Sequence, residues 1–272
     1  MFILLPFLAA LGVIAPAAAG PTLAVEDTMF TEVPEVLVRA PRVTLDEILD
    51  RVARGEARRE SLLADQNFRV ALRLRRDVTG PATPRLIEES VWRVYRKRPD
   101  KVRSVLLRRV EPGRKPRGPR SQVQLDFSPG MGEEIVNFAF RADARREYRY
   151  RLMGRDLVGG HVIYRLAFEP RSLLSGDVSG QVWIDTNDFV IVREEVFFRQ
   201  SPVPLVLKRI HRMIVERRRV ADAWVLGRVL LRAEMTVPLP TVGRSFDMSL
   251  VYDDYALNTG LPDSLFVDAR GR

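Results

Sequence analysis

The chain has 272 residues, 46% hydrophobic and 29% charged, with 44 Lys and Arg against 35 Asp and Glu, a net charge of +9 and no cysteine. So apolar a composition excludes a disordered chain, and the length suits one large domain or two small ones. Without cysteine there is no disulfide, no thiol nucleophile and no N-terminal lipid-modified Cys, so burial alone must stabilise the fold.

Residues 1–19 carry no charge and pass from an apolar run, Phe2 to Ile14, into Ala17-Ala18-Ala19. This reads as a secretory signal with a small-x-small cleavage site; the unbroken apolar stretch is shorter than the roughly 20 residues of a spanning helix. The rest of the chain is then expected in the periplasm. Residues 20–43, with Pro21, Pro34 and Pro41, read as an extended segment. The folded domain is expected over 44–268.

Thr44-Leu45-Asp46-Glu47 has the form of a capping box. Leu45, Ile48, Leu49 and Val52 follow at helical spacing, with Leu62 and Leu63 beyond, so one amphipathic helix is predicted from about 45 to 63 with Gly55 as its weak point. Strands follow. Phe68, Val70, Leu72 and Leu74 alternate with polar residues; Trp92 and Val94 continue the period, then Val105 and Leu107; Tyr148, Tyr150 and Leu152 alternate with arginines. Val162, Tyr164, Leu166 and Phe168 form another face, and Val182 and Ile184 precede an Asp-Thr-Asn-Asp turn before Val190, Val192, Val196 and Phe198. Leu205–Val215 and Trp224–Leu231 join through Ala221-Asp222, and Phe246, Met248, Leu250 and Tyr252 close the series. That makes nine or ten strands, each with one apolar and one wet face, the pattern of an antiparallel sheet.

Two stretches break the rhythm. Residues 111–121, EPGRKPRGPRS, read as an exposed basic loop, and 128–144, with Ile135, Phe138 and Phe140, as either a short helix or an irregular flap.

A sheet of this size curls or closes, and one helix covers one face only. The fold expected is mainly β with one or two helices: a single curved antiparallel sheet forming an open or incomplete β-barrel, with a helical lid over its hollow. Leu72, Leu74, Trp92, Val94, Tyr164, Leu166, Trp183 and Met248 are the candidate lining of a hydrophobic cavity. The competing reading is that helix and side chains fill the hollow as an ordinary core, and the tryptophans then simply pack the sheet.

Residues for catalysis or metal binding are sparse. His161 and His211 are the two histidines, no G-x-S-x-G or H-E-x-x-H occurs, and Asp185, Asn187 and Asp188 lack the downstream Glu of a calcium loop. Glu133-Glu134 and Glu194-Glu195 are adjacent pairs that point to opposite faces of a strand. The expectation is a non-enzymatic protein with no cofactor and no catalytic or metal site. The positive charge, mostly Arg, suits anionic lipid headgroups or an acidic partner; a secreted chain without a recognised nucleic-acid motif is not expected to bind nucleic acid.

Three stretches carry a family resemblance. The helix at 44–63 lies between signal and first long strand, Val94-Tyr95-Arg96-Lys97-Arg98-Pro99-Asp100-Lys101-Val102-Arg103 forms a strand–Arg-Pro–strand hairpin, and Gly180–Asp185 with Ile191–Glu194 forms a late hairpin echoed by Asp222–Leu226. In these the chain resembles outer-membrane lipoprotein-sorting proteins of the LolA/LolB type and the related RseB-like domains. The resemblance implies an unclosed barrel whose helical lid (here Leu45, Ile48, Leu49 and Val52) shields acyl chains of lipoproteins or lipids, with Arg98 in the position that holds the lid. It implies a monomeric periplasmic carrier that hands cargo to an envelope transporter or acceptor. The alternative is an RseB-like lipid-sensing module that binds a regulatory protein through loop 111–121.

Overall fold

The computed structural model describes residues 43–76, 85–112, 139–141, 143–158, 160–172, 178–201, 204–239 and 243–267. The expected signal and extended segment, and most of the two irregular stretches, lie outside these residues.

The helix, α1, spans Leu45–Ser61. Thr44 Oγ1 accepts the Glu47 N–H at 3.2 Å, and Asp46 and Glu47 stand in the first turn with Arg58 and Arg59 in the last, complementing the helix dipole. The Glu47 carboxylate pairs with Arg51 one turn on, so only half of the expected capping box forms. The helix ends two residues sooner than its apolar pattern suggested. The Leu62 N–H bonds back to Arg58 O, the Leu62 carbonyl accepts from Asn258 Nδ2 at 2.8 Å, and Leu63 turns away to a small cluster with Ala223 and Val225.

Ten strands follow: β1 Asp65–Arg76, β2 Arg85–Lys97, β3 Lys101–Val110, β4 Tyr148–Val158, β5 His161–Pro170, β6 Val178–Asp185, β7 Val190–Phe198, β8 Leu207–Val220, β9 Ala223–Leu239 and β10 Gly243–Leu257. They form one antiparallel sheet in the order β3-β2-β1-β10-β9-β8-β7-β6-β5-β4, not closed into a barrel, with β3 and β4 at its margins. The last two long strands run well past the apolar runs that announced them.

The helix shows how far this sheet bends. Laid flat, at about 4.8 Å per strand, the distance from the β2–β3 turn to β4 is roughly 40 Å. Yet Asp50 of α1 pairs with Arg145, just ahead of β4, at 2.5 Å, while Glu60 O accepts from Arg98 in the β2–β3 turn at 2.5 Å. These two helix residues lie only about 15 Å apart along the axis. Even with two extended arginines the margins are too close for a flat sheet, so it curves around α1.

The register assigns the faces. Phe68, Val70, Leu72 and Leu74 of β1 align with Val94 and Trp92 of β2 and with Tyr252, Leu250 and Met248 of β10. The series continues through Leu231, Met213, Val196, Gly180, Phe168 and Tyr150 to β4, forming one concave apolar face. Together with Ile48, Leu49 and Val52 this face makes a single core cluster. On the convex face Arg–carboxylate pairs ladder the strands: Arg69 with Asp253 at 2.7 and 2.8 Å, Arg232 with Asp247 at 2.7 and 3.0 Å, and Arg193 and Arg228 on Glu216.

β3 departs from expectation. The register set by the β2–β3 hairpin places Val102, Ser104 and Leu106 in line with the concave face, whereas Val105 opposes Arg93 on the convex one. Val105 and Leu107 are exposed, because β3 has a neighbour on one side only among the described residues.

Asp65, at the start of β1, fastens the end of β10. Its carboxylate accepts N–H bonds from Thr259 and Gly260, both 2.8 Å, and from Leu261 at 3.3 Å. Burial pushes its pKa up, but these donors outweigh burial and hold the carboxyl below the usual range. A depressed folded pKa means stability that is present above about pH 4 and lost as pH falls through the folded value. Asp65→Asn is expected to cost about 1–3 kcal/mol at pH 7 and to remove part of the acid sensitivity, checked by urea melts at pH 7 and pH 3.

Candidate functional site

The candidate site is the contact between α1 and the concave sheet. Gly55 seats the helix. A Cβ at this position would lie 2.4 Å from Phe189 O and 2.5 Å from Asp188 O, so only glycine lets the helix rest directly on the backbone of the β6–β7 turn. Gly55 is therefore a point of closest approach rather than the weak point that helix propensity suggested. The turn itself is rigidly built. Asp185 accepts the N–H groups of Asn187 (2.9 Å) and Asp188 (3.2 Å), Trp224 Nε1 donates to Asp188 Oδ2 at 3.0 Å, and Arg58 of the helix donates to Asp188 O at 3.2 Å.

At the residue after Gly55 the contact becomes ionic. Glu56 Oε1 accepts from Ile191 N and from Arg217 Nη1, both at 2.8 Å, and Glu56 Oε2 accepts from Arg59 Nε at 3.0 Å. Arg217 also donates to Ile191 O and lies 3.8 Å from Glu194 Oε1. All four side chains are buried. Two cations and two anions thus balance beneath the helix, with the β7 backbone drawn into the same network. Charges taken out of water persist only when matched in this way. At its end the helix is held by Arg98 on Glu60 O and by Asn258 on Leu62 O.

Sequence reasoning did not find this network. Its signal was present: Glu194 shares the strand parity of Val196, and Arg217 follows Met213 and Val215, so each places a charge on an otherwise apolar face. Reading Glu194 only as half of an adjacent Glu pair obscured that.

The proposed lining residues separate into two sets. Leu72, Leu74, Val94, Tyr164, Leu166 and Met248 come together in the core cluster, and Trp92 packs against it. Trp183 does not join them: its register neighbours are Arg165 and Arg193, on the convex face, where the Arg193 guanidinium lies 5.2 Å from its ring centroid. Plain alternation puts it there, between the inward-facing Val182 and Ile184.

The space beneath the helix is occupied. Ile48 and Val52 are fully buried, and Phe140 enters from the irregular stretch to pack on Tyr150 and Phe168, each at 5.5 Å between ring centroids. Under the last turn, between Arg59, Phe68 and Leu226, the structure leaves a slot of about 10 Å³, room for one water. A much larger open hollow, about 600 Å³, lies on the convex side against β4–β7. Among the described residues, the space directly beneath the helix is thus taken up by the protein's own side chains. His161 sits at an exposed turn beside Asn187, and the described residues contain no group of three His, Cys, Asp or Glu able to hold a metal. No described helix is long and apolar enough to cross a membrane.

No protein-family model and no curated protein matches the chain. Among solved structures, a DUF1329 family protein from Desulfovibrio piger is 13% identical, with 84% of this chain and 98% of that one covered at a TM-score of 0.40. A LolA superfamily protein from Nitrosomonas europaea is 15% identical, with 83% and 98% covered at 0.36, and the Pseudomonas aeruginosa MucA/MucB complex 12% identical, with 76% and 93% covered at 0.21. These neighbours include the LolA-type group that the sequence resembles.

Proposed function

We propose that this protein is a non-enzymatic carrier of the cell envelope, acting in the periplasm, that holds an acyl chain of a lipid or lipoprotein between α1 and the concave sheet. One observation carries the reading: among the described residues a ten-stranded apolar face is left unclosed at its margins and is covered by α1. At those margins Val102 and Leu106 of β3, and Leu152 and Leu157 of β4, share the concave parity and are exposed. Cargo enters by displacing the helix, because the space beneath it is otherwise filled. Each buried methylene then contributes about 0.8 kcal/mol, against the cost of uncovering Ile48, Leu49 and Val52. A transporter, acceptor or regulatory protein would receive the cargo or sense its presence.

Arg98 is the residue through which to test this. Its guanidinium grips the last turn of α1 at Glu60 O, outside the buried network, so Arg98→Leu should loosen the lid and leave the fold intact. Native mass spectrometry of protein purified from the periplasm should show bound lipid, with a several-fold change in retention for the variant at unchanged thermal stability. Absence of lipid from both proteins, together with no uptake of a fluorescent fatty acid, would refute the carrier reading.

A further inference from the structure

The two margins of the sheet are not alike. β3 is blunted by its own chain: Arg103 donates to Leu265 O, Lys101 pairs with Asp263 of the closing 3-10 helix, and Arg108 and Arg109 pair with Glu89 and Glu88. β4 carries no such cover among the described residues. Arg149 and Arg151, both exposed, stand on its convex side, and neither pairs with a described carboxylate; Glu169, the register partner of Arg149, forms no ion pair with it. This sets them apart from the paired arginines on the convex face of β1, β7 and β9. Both border the 600 Å³ hollow.

The backbone at this edge has a defined phase. Tyr148 opposes Pro170, and Arg171 N bonds to Glu147 O at 2.7 Å, which makes Tyr148–Pro170 a non-hydrogen-bonded pair of the antiparallel ladder. By alternation, Tyr150 and Leu152 direct their N–H and C=O away from β5, toward the side where the described sheet has no further strand. Unpaired groups of this kind are a template for strand addition.

We propose that the Tyr148–Leu152 edge binds an extended segment of a partner protein in which acidic and apolar residues alternate. Backbone bonds form at Tyr150 and Leu152. On the convex side, side chains opposite Arg149 and Arg151 meet two uncompensated guanidiniums, which favours Asp or Glu. On the other side they meet Tyr150 and exposed Leu152, which favours apolar residues. A second copy of this chain is a poor occupant, because antiparallel pairing of two β4 edges centred on Tyr150 sets Arg149 against Arg151. The inference is independent of the carrier reading.

The test uses the full chain and a fluorescent ten-residue peptide alternating Glu and Val, with a Lys–Val peptide and anionic phospholipid vesicles as comparisons. Fluorescence anisotropy should show binding of the Glu–Val peptide only. The double variant R149E/R151E should weaken it about tenfold or more. Leu152→Pro, which removes an outward N–H and leaves the β5 ladder intact, should weaken it comparably. Circular dichroism controls for folding. Absence of peptide binding, binding insensitive to Leu152→Pro, or binding to the vesicles in place of the peptide would each overturn the proposal.

Discussion

Gly55→Ala is expected to destabilise the protein by about 2–3 kcal/mol, although alanine is the better helix former by about 1 kcal/mol. The sign follows from what the added methyl meets. Phe189 O, Asp188 O and Phe189 C would all lie within 2.8 Å of it, and all are backbone atoms of a turn fixed by Asp185, Trp224 and Arg58. Neither surface yields cheaply, so the helix must lift. Lifting it uncovers Ile48 and Val52, and the variant should bind a hydrophobic dye that the parent does not. Gly227 supplies the control: an added Cβ there finds its nearest neighbour at 3.4 Å, and Gly227→Ala should change stability by less than about 1 kcal/mol. A Gly55→Ala protein as stable as the parent, with no added dye binding, would mean that the helix does not rest where the structure puts it.

The second large effect is expected at Arg217. Replacing it by Met keeps much of the volume but leaves Glu56 and Glu194 buried with Arg59 as the one remaining cation of the network. Removing one member of such a set costs about 3–5 kcal/mol, a fall in Tm on the order of 10 °C for a domain of this size. The loss arises from the stranded anions rather than from the missing contact, so the double variant Glu56→Gln/Arg217→Met should recover part of it. A double-mutant cycle by thermal denaturation measures this directly. Additive losses would show that Glu56 and Arg217 do not act on each other.

The two predictions mark where sequence reasoning ends. Period-two alternation located the strands, and Thr44 with the spacing of Leu45, Ile48, Leu49 and Val52 located the helix, because both are local consequences of side-chain direction. The curvature and openness of the sheet followed from strand number against a single helix. What stayed hidden depends on register. The β2–β3 hairpin register pairs Val105 with Arg93 on the convex face, whereas Trp183 was legible: it stands between the inward Val182 and Ile184 and so faces outward by plain alternation. Gly55 read as a propensity defect because its reason for being glycine, the carbonyls of the 188–189 turn, lies more than 130 residues away in the chain. Glu194 and Arg217 were legible as charges at inward positions, but their partner Glu56 is on the helix, and only the packed fold brings the three together.

The helix joins the two sides of a bent sheet much as a tie-beam joins the walls under an arch, and its two ends are fastened by different means. The end at Asp50 and Arg145 relies, besides its apolar side chains, on an ion pair whose carboxylate is more than half exposed, which dissolved ions weaken. The far end adds to its one exposed ion pair, Arg58 with Asp188, bonds to two carbonyls and charges sealed from solvent. Rising ionic strength is therefore expected to loosen the beam more at the β4 wall than at the other.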